Sequence, residues 1–138
     1  MRIDYRNKEE IDKLYLHDSE FEGFCYDYEK RQITLSCDNY FKEFRKRTVF
    51  TFHNVIFYSI QSCEFWGKCF RIYEIYLQDD STEMDQLLKS KLAGDYKHSY
   101  LDKGVEYLPI EIGIISGDIL VIICESVDVH EEELCLPE

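Results

Sequence analysis

Ile11, Leu14 and Tyr15 recur at helical spacing behind Asn7 and Glu10, which read as an N-cap and its capping-box partner, so the pattern predicts a short helix over about 8–15. The period then changes to two. Phe24, Tyr26 and Tyr28 share one parity, Glu29, Lys30 and Arg31 make a polar turn, and Ile33, Leu35 and Cys37 alternate with Gln32, Thr34 and Ser36. This predicts a hairpin with one buried face. The β-branched and aromatic content of residues 48–58 predicts another strand, interrupted at His53 and Asn54. Alternation over 71–78 adds a further one, with Tyr73, Ile75 and Leu77 on a common face.

Capping oxygens at Asp80, Ser81 and Thr82, an apolar stripe of Met84, Leu87, Leu88 and Leu92, and a closing Gly94 predict one longer helix near 82–93. A polar loop follows it. Two apolar runs, 108–115 and 119–124, flank Ser116-Gly117-Asp118 and predict a second hairpin. The near-continuous run from 119 to 124 points to a central strand covered on both faces. His130, Glu131, Glu132 and Glu133, with Pro137 beyond, read as a frayed tail. The expected fold class is α+β: a mostly antiparallel, curved β-sheet or sandwich, with a short N-terminal helix and the longer helix at one face or end.

At 138 residues the chain fits a single domain spanning 1–138. The net charge is −12, which repels nucleic acid and anionic membrane surfaces and favours a basic protein partner. The imbalance is uneven: residues 101–138 carry ten acids against Lys103 as the one base, a net of −9, and residues 1–100 only −3 from eighteen acids and fifteen bases. Met1-Arg2-Ile3-Asp4-Tyr5 lacks the apolar core of a signal peptide, so a reducing cytoplasm is expected. The six cysteines form no Cys-x-x-Cys pair, and Cys25, Cys37 and Cys124 read as small buried hydrophobes within apolar strands. No apolar stretch approaches the roughly 20 residues of a spanning helix.

No cofactor or metal is expected. The six glycines make no phosphate-binding or nucleophile-elbow motif, and His53, His98 and His130 lie on different elements without metal-ligand spacing. His17-Asp18-Ser19 has the residue types of a hydrolase triad, but adjacent positions cannot form its relay. A structural role, in which His17 or Asp18 bonds the backbone where helix meets strand, fits better. Lys42, Arg45, Lys46 and Arg47 form the only basic cluster, interleaved with Tyr40, Phe41 and Phe44, and suit a solvated loop or an intramolecular partner for the acidic C-terminal region. Asp95, Tyr96, Tyr100, Asp102, Glu106 and Tyr107 are the candidate partner-binding residues, an acidic aromatic surface fit to grip a basic protein.

Leu16-His17-Asp18-Ser19, followed by a hairpin and by Phe52-His53-Asn54-Val55, resembles a group of small bacterial β-rich domains that includes immunity proteins of polymorphic toxin systems. The resemblance covers about the first half of the chain and implies a small cytoplasmic protein that binds a cognate toxin without catalysis. The competing reading is a small-molecule-binding domain or enzyme, with His17, His53 and nearby carboxylates converging in a pocket on the concave sheet face.

Overall fold

The computed structural model describes residues 1–41, 44–61, 71–78, 82, 84–86, 89 and 104–134. Its strands are β1 (Arg2–Ile3), β2 (Glu20–Asp27), β3 (Gln32–Phe41), β4 (Phe44–His53), β5 (Phe57–Gln61), β6 (Ile72–Leu77), β7 (Leu108–Ile114), β8 (Ile119–Cys124) and β9 (Ser126–Leu134). All pairings between them are antiparallel, in a five-stranded sheet ordered β1-β9-β4-β3-β2 and a four-stranded sheet ordered β5-β8-β7-β6.

One pair of strands belongs to both sheets in succession. β4 pairs with β9 in the first sheet, and their continuations β5 and β8 pair in the second. The ribbon turns the corner together, with Glu125 N donating to His53 O at 3.1 Å and Ile56 N donating to Ile123 O at 2.9 Å. Asn54 takes a left-handed φ of 50°, which asparagine tolerates better than most residues, and its Nδ2 donates to Glu125 Oε2 at 3.0 Å. This is the interruption expected at His53 and Asn54. The sheets also meet at their far edges, where Glu20 bridges Arg71 and Ile72 N donates to Ser19 O at 2.8 Å.

The space between the sheets is a single apolar core. Ile33, Leu35, Phe50, Phe52 and Val127 reach it from one side and Ile72, Ile110, Ile112, Leu120 and Ile122 from the other. β8 is buried on both faces as its sequence predicts, because Val121 and Ile123 pack outward against Tyr107 in a second, smaller cluster. Both expected hairpins form. Gly117, at φ 97°, closes the second, with Gly117 N donating to Ile114 O at 2.8 Å.

The fold class expected from sequence is corrected. Strands take up 61% of the described residues and helix 11%, and no helix of seven or more residues is found among them, so the architecture is two packed β-sheets, not α+β with a longer helix. Of 82–93, Thr82, Met84, Asp85, Gln86 and Lys89 are described, with helical backbone; the rest lies outside the described residues. The N-terminal helix is a 3-10 helix over Tyr5–Glu10, earlier than expected and capped by Asp4 in place of Asn7. Asp4 Oδ1 accepts from Arg6 N at 2.9 Å, and Asn7 Oδ1 accepts from Asp4 N at 2.8 Å. The bonds that follow, from Ile11 N to Lys8 O and from Leu14 N to Ile11 O, span three residues. At three residues per turn Ile11 and Leu14 stack toward the core and Tyr15 swings out to solvent.

The expected frayed tail is the strand β9, and its glutamates face the basic run of β4. Lys46 pairs in register with Glu133, and Arg47 with Glu132, while Lys46 Nζ lies 3.7 Å from Glu131 Oε2. On the outer face, with strand parity opposite to Lys46, Glu131 and Glu133, Glu20, Asp38, Arg47 and Glu132 align across four strands. Asp38 is wholly buried there: Arg47 Nε donates to its Oδ1 at 2.8 Å and Arg45 Nη2 donates to its Oδ2. Burial pushes the Asp38 carboxyl up, but the hydrogen bonds and charges of Arg47 and Arg45 together outweigh it and hold the group below its ordinary value. Cys37 and Cys124 are buried hydrophobes as expected, and desolvation, with Asp38 adding to it, pushes the Cys37 thiol up to about 12. Cys25 is exposed instead, since on β2 it has the parity opposite to the inward Phe24 and Tyr26.

Ile122→Ala should lower the unfolding free energy by about 3 kcal/mol in urea titration, since the side chain is enclosed between the sheets. Asp38→Asn should cost about 2 kcal/mol at neutral pH by losing the charge on hydrogen bonds from two guanidiniums. Because the folded carboxyl sits below its ordinary 3.8, its contribution is present above that pH and is lost as pH falls through the folded value. The two proteins should therefore converge in stability as the titration is repeated below pH 3.8.

Candidate functional site

Residues 12–18 form an arch along the edge of β6. At one end Leu77 N donates to Asp12 Oδ1 at 3.4 Å; at the other Asp18 N donates to Ile72 O at 3.0 Å. Leu16 is buried beneath it. Between the two attachments lies a cleft of about 390 Å³, lined by Asp12, Leu14, Tyr15 and His17 on the arch and by Tyr73, Glu74 and Tyr76 on β6. Asp12 also borders a second cleft, of about 460 Å³, between Tyr5, Lys8 and Glu9 of the 3-10 helix and Gln78, Glu106 and Pro109. The two clefts thus adjoin along one surface.

Three rings stand in series over the first cleft. The centroids of Tyr15 and His17 are 6.5 Å apart and those of His17 and Tyr73 5.9 Å. Tyr15 is 76% exposed and Tyr73 55%, so this aromatic area faces solvent. Tyr73 was expected on the face of Ile75 and Leu77, but an irregularity in register between Ile72 and Glu74 turns it outward. His17 Nδ1 lies 3.1 Å from Asp18 Oδ2, and Asp18 holds a left-handed φ of 67°. In the second cleft Lys8 Nζ sits 4.1 Å from the Tyr5 ring centroid. Below both, Gln78 Nε2 donates to Glu111 Oε1 at 2.9 Å, and burial, with the charge of Glu74 adding to it, raises the Glu111 carboxyl above its ordinary range.

Of the residues expected from sequence to grip a partner, Glu106 is exposed on the second cleft. Tyr107 borders the same cleft but is buried against Val121 and Ile123, so it anchors the outer cluster and is not an exposed contact. Asp95, Tyr96, Tyr100 and Asp102 lie outside the described residues. The motif Leu16-His17-Asp18-Ser19 does join the N-terminal segment to β2, but through backbone: Ser19 N donates to Leu16 O at 2.9 Å, and the side chains of His17 and Asp18 turn to each other. His17 and His53 have separate partners. His53 Nε2 lies 2.7 Å from Asp128 Oδ2 on the outer face of the first sheet, while the space between the sheets is filled with core side chains. Among the described residues no three His, Cys, Asp or Glu side chains are grouped to hold a metal ion.

Sequence reasoning missed Glu9, Asp12 and Tyr15 as surface residues of this site because they were absorbed into one amphipathic helix, and Tyr5 because it preceded that helix's expected cap. The signal lay in Tyr15, which under three-residue periodicity leaves the apolar stripe. No family model matches this sequence, and no curated protein is found similar to it.

The buried Ser19 hydroxyl has no hydrogen-bond partner among the described residues, whereas its backbone N–H and C=O are both bonded. Ser19→Ala removes that unpaired group and keeps the backbone bonds. The variant should therefore melt at the wild-type temperature or above it in a thermal scan, and a fall of several degrees would assign the hydroxyl a bonding role.

Proposed function

We propose that the protein is a non-catalytic binding protein of the immunity type, which neutralises a basic partner protein in the cytoplasm. The observation that carries this reading is the pair of clefts sharing Asp12, rimmed by Glu9, Glu74 and Glu106 and by the exposed rings of Tyr15 and Tyr73. Carboxylates draw a cationic partner in over distances near the Debye length, and aromatic side chains supply the contact area that slows dissociation. The net charge of −12 acts in the same direction over the whole molecule and opposes nucleic acid as the partner. No helix among the described residues is long and apolar enough to cross a membrane.

The test is affinity capture of the tagged protein from its native cell extract at low salt, with mass spectrometry of what is retained. The expected result is a stoichiometric basic protein, toxic when expressed alone and harmless beside this chain. Its association rate should fall by about tenfold from low to high ionic strength. A rate that is flat in salt, or a retained protein with no toxicity to neutralise, overturns the reading.

A further inference from the structure

We propose that the cleft beneath the 12–18 arch is a receptor for a guanidinium group, so that an arginine side chain is the anchor it takes from a partner. The inference rests on the basic-partner reading and specifies its chemistry.

The contrast between the two clefts points to it. In the second, the cation is already in place: Lys8 Nζ lies 4.1 Å from the centroid of Tyr5. The arch cleft offers the same chemistry, exposed rings beside carboxylates, yet no Lys or Arg is among the described residues that line it. Tyr15, His17 and Tyr73 present a row of rings with neighbouring centroids 6.5 and 5.9 Å apart, so a planar cation seated over one exposed face is close to the next ring as well. Glu74 and Asp12 flank that row. Asp12 gives one oxygen to Leu77 N at 3.4 Å and keeps its second for a ligand, and Asp18 fixes the His17 ring.

Guanidinium fits this site better than ammonium for three physical reasons. It is planar and stacks on rings, its fork of N–H donors matches carboxylate oxygens, and it is more weakly hydrated than a lysine head. The cleft is also held open in advance. Bonds tie the arch to Leu77 at one end and Ile72 at the other, and Leu16 is buried under it, so little chain ordering is needed when a side chain enters.

The experiment titrates the 15N-labelled full chain with N-acetyl-arginine amide, and in parallel with N-acetyl-lysine amide and N-acetyl-glutamine amide, following backbone amide shifts. Shifts confined to residues 12–18 and 72–76, with the arginine probe bound about threefold or more tightly than the lysine probe, are the expected result. Tyr73→Ala and Glu74→Gln alter exposed positions and should each weaken the arginine probe by about threefold or more, whereas Glu29→Gln in the exposed turn between β2 and β3 should leave it unchanged. Equal response to the lysine and arginine probes, shifts spread over Glu131, Glu132 and Glu133 of β9, or full affinity in Tyr73→Ala overturns the proposal. Confined arginine binding with no basic protein retained on affinity capture upholds the cleft and removes the partner. A basic protein held equally by the wild type and Tyr73→Ala removes the cleft and leaves the partner.

Discussion

The bend that carries β4 into β5 and β8 into β9 decides where every other strand can lie. Two paired chains cross from one sheet to the other side by side, keeping their hydrogen bonds through the corner at His53, Ile56, Ile123 and Glu125. Because neither chain crosses alone, the corner leaves few unpaired backbone groups to desolvate. The inner faces of both sheets are thereby set against each other, and Phe50 and Phe52 on one side of the bend share a core with Leu120 and Ile122 on the other. β3 and β2 then add to β4, and β7 and β6 add to β8, until the edges meet again at Glu20 and Arg71.

What was legible in the sequence was what is local. Both hairpins and the double burial of β8 follow from alternation, turn residues and an apolar run, none of which needs knowledge of a distant partner. β9 was illegible for the opposite reason. Its outer positions are charged and its partner is β4, with Val49 opposite His130, so only the pairing explains why His130, Glu131, Glu132 and Glu133 are ordered. The basic run of β4 was half readable as an intramolecular partner for acidic residues, and Lys46 and Arg47 do face β9, although they lie in a strand and not in a solvated loop. No helix of seven or more residues is found among the described residues, while Leu87, Leu88 and Leu92 of the expected stripe lie outside them.

Of the residues around the two clefts, few were legible in the sequence, and Asp95, Tyr96, Tyr100 and Asp102 lie outside the described residues. Acidic residues beside exposed tyrosines were expected around 95–107, and Glu106 does lie on the surface found. The remainder comes from segments whose pattern hid it: Tyr15 behind a run of three-residue turns that sequence spacing does not distinguish from α, and Tyr73 behind an irregular register that no propensity marks. Charge counting along the chain misled in a related way. The C-terminal glutamates that dominate the count face Lys46 and Arg47 across the sheet, whereas Glu9, Asp12, Glu74 and Glu106, scattered in sequence, gather around two clefts.

In the first sheet β9 sits between β1 and β4, and Ile3 is the neighbour of Val127. A ribosome delivers these strands in the opposite spirit, β1 and β4 early and β9 after all the other described strands. Until residues 126–134 emerge, the growing chain holds an open edge on β4 and an unpaired β1, although every described core residue before Val127 has already been delivered; an open edge is where β-rich chains most readily pair with the wrong neighbour. The acidic stretch of β9 thus closes the sheet last, and its pairing with β1, Arg2 opposite Asp128, joins the most widely separated stretches of the described chain, the kind of contact whose closure entropy is met before it is rewarded.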